Sequence, residues 1–163
     1  MDLSGKFALA FASSGGIGFI PVMPGTFGSV PGLAVYWILI QILPLPAVLA
    51  VIAAVALLGI WAAGQAEVRL QANDPGAVVI DETVGMMLAL YALPAAPGIW
   101  IAAFFLFRFF DILKPFPIGY LEKACPGGLG IMIDDVAAGV AANLLLLVIL
   151  YFLGIRCWVL GVG

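Results

Sequence analysis

The chain has 163 residues, of which 65% are hydrophobic and only 9% charged, with a formal charge of −3 and no histidine. Ordinary soluble domains are roughly 25% charged, so this composition excludes a soluble globular fold and indicates an integral membrane protein. The sparse charge argues against nucleic-acid binding, and without histidine any bound metal must be held by oxygen. At about 20 residues per spanning helix, the length accommodates about four to six crossings. The expectation is therefore a single membrane-embedded catalytic domain over residues 1–163, with no separate soluble domain.

From the N-terminus, Lys6 precedes the apolar run Phe7–Ala12, which is shorter than the core of a signal peptide and is retained as part of the mature protein. Gly15, Gly16 and Gly18 then lead into Pro21, Pro24 and Pro31, a stretch too interrupted for continuous helix, so the N-terminal region reads as a loop or re-entrant segment. Within it, Pro24-Gly25-Thr26-Phe27-Gly28-Ser29 offers the hydroxyls of Thr26 and Ser29 and flexible amides ahead of a helix. That is either a phosphate cradle or an ordinary turn.

Beyond this region the apolar stretches predict an all-α polytopic membrane protein with about five membrane helices, near 30–43, 47–69, 81–93, 99–113 and 133–153. Leu43-Pro44-Leu45-Pro46 and the segment from Leu93-Pro94 to Pro97-Gly98 form the uncharged reversals. Threading the helices alternately places Lys6, Arg69, Arg108, Lys114 and Lys123 at one face and Arg156 at the other. By the positive-inside rule the N-terminal face is cytoplasmic, and the same threading brings every polar cluster to it. The third and fourth helices reach only about 20 and 22 Å, less than the ~30 Å hydrocarbon core, which recesses their polar ends to headgroup depth. Cys125 and Cys157 have no metal-ligand spacing and read as structural, on opposite faces. Asn143 is expected to make an interhelical hydrogen bond, and the Met86-Met87 pair and the phenylalanines of 104–110 to pack.

Six of the nine carboxylates fall in three clusters: Asp74 with Asp81-Glu82, Asp111 between Arg108 and Lys114, and Asp134-Asp135. Asp81-Glu82 and Asp134-Asp135 each stand at a predicted helix start, where capping is an alternative to function. Arg108, Asp111 and Lys114 recur at i, i+3 and i+6, compatible with a self-neutralising ladder or with one metal ligand flanked by two phosphate-binding cations. Two adjacent-acid pairs on one membrane face repel unless a cation bridges them. Hard carboxylate oxygens suit Mg²⁺, and with Arg108 and Lys114 beside them the leading reaction class is metal-assisted phosphoryl transfer. The alternative is an ion-coupled membrane transporter with an acidic cytoplasmic-side site.

Taken together, Pro24 to Ser29, Asp74 through Asp81-Glu82-x-x-Gly85, Phe107-Arg108-x-x-Asp111-x-x-Lys114-Pro115-x-Pro117-Ile118 and Gly128-x-Gly130-Ile131-Met132-x-Asp134-Asp135-x-x-x-Gly139 resemble the phosphatidylglycerophosphatase A family. The resemblance spans about residues 14 to 150 and rests on four ordered motifs with matching separations. It implies a multi-pass enzyme of the bacterial inner membrane, Mg²⁺-dependent, that hydrolyses phosphatidylglycerophosphate to phosphatidylglycerol and phosphate. It also implies that Asp81, Glu82, Asp111, Asp134 and Asp135 form the active site and its metal ligands. Where some members carry histidine, this chain has Pro75 and Pro126, so the attacking group is an activated water or a carboxylate.

Overall fold

The computed structural model describes residues 3–155, so Arg156 and Cys157, expected on the opposite face, lie outside the described residues. Among the described residues there are seven α-helices, a short 3₁₀ turn and no strand. The helices are α1 (Leu3–Ala12), α2 (Pro24–Ile42), α3 (Leu45–Leu70), α4 (Ile80–Leu90), α5 (Pro97–Leu113), α6 (Ile118–Ala124) and α7 (Gly127–Phe152). The all-α expectation holds. Three of them, α2, α3 and α7, are long and apolar enough to cross a membrane, whereas α4 and α5 extend only about 16 and 25 Å at 1.5 Å per residue.

Several boundaries differ from expectation. The N-terminal segment is not all loop: α1 is helical because Gly5, Ala8 and Ala12 form a small-residue face that packs on α3. Irregular backbone is confined to the turn around Ser14, Gly15 and Gly16, all at positive φ, and the approach to Met23. Residues 24–29, expected as loop, are the first turns of α2. Pro24 sits at its start, where a missing N–H costs nothing, and the helix continues through Pro31. Helix α7 begins at Gly127 rather than 133, so Gly128 and Gly130 are helical. Helix α6, unforeseen in a Pro-bounded segment, occupies the connection between α5 and α7.

Helix α4 is the core of the bundle. It is buried at nine of its eleven positions and packs against α2, α3, α5 and α7. Side chains on the outside of the bundle are apolar and exposed, among them Trp37, Ile38, Leu57, Leu58, Phe105, Leu144 and Val148. In lipid such residues gain nothing by leaving the solvent, so association rests on close packing and interhelical hydrogen bonds. Small residues supply the packing. A Cβ on Gly139 would overlap the Gly85 carbonyl, and one on Gly85 would lie 2.6 Å from the Phe107 ring and 2.7 Å from the Asp135 carbonyl. Gly28 and Gly32 likewise admit Val79, Thr83 and Met86, bringing α2 onto α4.

Hydrogen bonds finish the short helix. The Asn143 amide donates to the Ala89 carbonyl (3.1 Å) and the Tyr91 carbonyl (2.8 Å), satisfying acceptors at the α4 C-terminus as the expected interhelical contact. The Ala92 amide donates to the Tyr36 hydroxyl at 2.9 Å. At the other end, the Thr83 hydroxyl donates to the Gly28 carbonyl at 2.8 Å and stands 2.9 Å from the Ser14 hydroxyl. The start of α4 is thereby fixed to both α2 and the N-terminal turn.

Candidate active site

The polar ends of α2, α4, α5 and α7 converge at one end of the bundle. Asp81 and Glu82 occupy the first turn of α4, and Val79 at its N-cap makes no side-chain cap. The macrodipole favours both acids there, so a helix-terminal role remains compatible with them. Capping does not account for Asp134 and Asp135. They lie in the third turn of a helix that starts at Gly127, beyond the reach of its terminal dipole.

Carboxylate oxygens of Asp81, Glu82 and Asp135 all lie within 4.8 Å of one another, and so do those of Asp111, Asp134 and Asp135. All five expected acids are brought together, and Asp135 belongs to both groups. Asp81, Asp134 and Asp135 are 8%, 6% and 3% exposed. Asp81 Oδ1, Glu82 Oε2, Asp134 Oδ1 and Asp135 Oδ2 are buried with no hydrogen-bond partner. Buried carboxylates left unpaired are strongly unfavourable, and an oxygen-liganded divalent cation satisfies such a set. The donor chemistry of these side chains therefore fits an oxygen-liganded divalent cation such as Mg²⁺.

Two cations flank the acids. Arg108 Nη1 lies 2.6 Å from Asp111 Oδ2, which realises one rung of the ladder. Lys114 leaves the ladder. At the end of α5, with φ 43°, it turns its ammonium to Asp134 (2.7 Å) on α7 and Glu122 (3.0 Å) on α6. Burial alone would lower the Lys114 pKa, but the hydrogen bonds to Asp134 and Glu122 outweigh it and hold the ammonium above the usual lysine range. Glu122, absent from the sequence expectations, thus takes part in fixing Asp134.

The first turn of α2 closes over this arrangement. A Cβ on Gly25 would collide with Glu82 Oε1 and stand 3.0 Å from the Arg108 guanidinium, so the backbone approaches both groups closely. Thr26, partly exposed, adjoins this contact. Ser29 is fully buried and its hydroxyl donates to the Gly25 carbonyl at 3.0 Å, which commits that donor to the helix. Asp74 is exposed, with its amide 3.4 Å from Glu67 Oε1. It lines an adjoining cavity of about 320 Å³ together with Glu67, Asn73, Glu122, Cys125 and the site residue Asp134. Cys125 carries a free thiol there.

Residues 10–150 match the family model described as Phosphatidylglycerophosphatase A. Among curated proteins, a Phosphatidylglycerophosphatase A of Haemophilus influenzae is 42% identical over 85% of this chain and 85% of its own length. A protein of the same description from Escherichia coli is 38% identical over 90% of this chain and 83% of its own. A protein of Bacteroides thetaiotaomicron described as a Putative phosphatidylinositol-3-phosphatase is 41% identical over 85% and 91%. No solved structure matches.

Proposed function

Because the chain belongs to the phosphatidylglycerophosphatase A family, we propose that it hydrolyses the terminal phosphomonoester of phosphatidylglycerophosphate to phosphatidylglycerol and phosphate in an Mg²⁺-dependent reaction. The observation that carries the reading is the meeting of five buried or half-buried acids with Arg108 at one end of an otherwise apolar bundle. Asp81, Glu82, Asp111, Asp134 and Asp135 would hold Mg²⁺, and the chemistry the ion would supply is polarisation of the phosphoryl oxygens and activation of water at neutral pH.

The chain's own groups do the positioning. Arg108, held by Asp111 and wedged against Gly25, offers a planar fork to two phosphate oxygens, where charge builds as the ester bond breaks. Lys114 fixes the orientation of Asp134 and adds positive potential beside it. Thr26, in the first turn of α2, adds a hydroxyl where helix amides already favour an anion.

The bilayer reading follows from the same arrangement. Helices α2, α3, α4, α5 and α7 lie within a bacterial inner membrane, and the short α4 and α5 recess the acids to headgroup depth. The positive-inside rule, applied to Lys6, Arg69, Arg108, Lys114 and Lys123, supports a cytoplasmic assignment of that end. An ion-coupled transporter needs acids along a route across the bilayer. Among the described residues every carboxylate belongs to the site end or its adjoining cavity, and the far end of α4 is completed by Asn143 and Tyr36.

The names of the relatives share one chemistry, a phosphomonoester on a phospholipid headgroup, and divide on the headgroup. The test is phosphate release by the purified protein in mixed micelles with Mg²⁺. Phosphatidylglycerophosphate, phosphatidic acid and phosphatidylinositol 3-phosphate are compared at equal surface concentration. The expected result is a kcat/KM for phosphatidylglycerophosphate at least about tenfold above the others, a difference of ~1.4 kcal/mol. Preference for phosphatidylinositol 3-phosphate would overturn the headgroup assignment, and release from none of them would overturn the activity.

A further inference from the structure

The five acids do not form one ligand set. Among the described residues they form two groups of three, Asp81 with Glu82 and Asp135, and Asp111 with Asp134 and Asp135. Oxygens bound to one Mg²⁺ lie no more than about 4.2 Å apart, twice the metal–oxygen distance. A single ion therefore engages one group and leaves the other uncompensated. Both groups contain buried oxygens without partners: Asp81 Oδ1 and Glu82 Oε2 in one, Asp134 Oδ1 in the other, and Asp135 Oδ2 in the residue common to both.

Charge points the same way. Five carboxylates, with Glu122 beside them on Lys114, face the two cations Arg108 and Lys114, so negative charge exceeds positive by four in a mostly buried site. One divalent ion offsets two of the four, and the remaining excess repels an anionic phosphate. A second ion removes that excess and lets an anionic phosphate approach.

We propose that this site holds a pair of divalent cations, one held by Asp81, Glu82 and Asp135 and the other by Asp111, Asp134 and Asp135, with Asp135 as the shared carboxylate. The proposal rests on the metal-assisted reading above and adds the number of ions and the division of ligands. The helix geometry supports the division. Asp135 lies on the face of α7 that meets α4, where its own carbonyl abuts Gly85, and Asp134, about 100° around the helix, turns to Lys114. A pair held in this way would together stabilise the charge of one phosphoryl group and activate the attacking water.

The test uses Mn²⁺ alone as the probe, added to the purified full-length protein in detergent and followed by electron paramagnetic resonance. Wild type is expected to bind two ions per chain and to give the spectrum of a spin-coupled pair. Asp81→Asn and Asp134→Asn are each expected to retain one ion with an isolated six-line signal. If either variant fails to fold, the wild-type stoichiometry and coupling still decide. A single ion in wild type would overturn the pair and leave the metal-assisted reading standing. Two ions without coupling would overturn the shared role of Asp135, and no bound ion would overturn both readings.

Discussion

Adjacent residues on an α-helix leave its axis about 100° apart, so the two acids of α7 face different neighbours. Asp134 meets Lys114, itself held by Glu122, and Asp135 meets α4. The residue-scale prediction is that Asp81→Asn removes turnover by at least about 100-fold in kcat with an unchanged melting temperature, since the carboxylate is replaced by an isosteric amide. Arg108→Ala should lower kcat/KM by about 10²–10³, the loss typical of one transition-state donor. Steady-state assays with circular dichroism check both, and an unchanged kcat/KM for Arg108→Ala would remove it from phosphate recognition. The identity of the acids is legible in the linear order, because charges this rare in an apolar chain stand out. Their partners are not. Lys114 reads as the third rung of a helical ladder until the chain turns at its positive φ and delivers it to Asp134. Glu122 gives no periodic signal at all, and Ser29 reads as a free hydroxyl until α2 is seen to begin at Pro24.

At the scale of elements, the site depends on how closely α4 and α7 approach. Gly139 is one turn past Asp135 and touches no ligand, yet its missing side chain admits the Gly85 backbone. Gly139→Leu is expected to push the helices apart, lowering both the melting temperature and kcat, whereas Val140→Leu on the exposed face leaves both unchanged. Thermal denaturation and activity of the two variants side by side check this, and full activity of Gly139→Leu would show that the crossing does not position Asp135. The long apolar helices are readable from composition, but only for α3 does the expected span, 47–69, come within a residue or two of the observed ends; α2 and α7 each begin six residues earlier than expected. Helix α1 escaped that reading because its helical character comes from a small-residue face docking on α3, a tertiary cause. Helix α7 was expected six residues short because Gly127, Gly128 and Gly130 signal a loop by local propensity. Instead, Gly128 lets the helix pack against Ile60 and Gly64 of α3.

For the whole molecule, alternation of helix direction gathers the motifs. Acids separated by more than fifty residues in sequence, Asp81 and Asp135, meet because each belongs to an element whose polar end faces the same way. The sidedness that follows is testable with cysteines introduced at Pro46 and Lys123, both exposed, after replacement of Cys125 and Cys157 by serine. Lys123→Cys is expected to react with an impermeant maleimide only from the cytoplasmic side and Pro46→Cys only from the other. Labelling of both from one side would contradict the threading.

The proposed activity stands on the gathered acids holding a divalent cation against a lipid phosphate. The most direct measurement is phosphate release from phosphatidylglycerophosphate by the purified protein after exhaustive chelation, then after stepwise return of Mg²⁺. Activity is expected to fall near background in chelator and to recover fully with Mg²⁺. An unchanged rate in the metal-free protein would contradict that requirement.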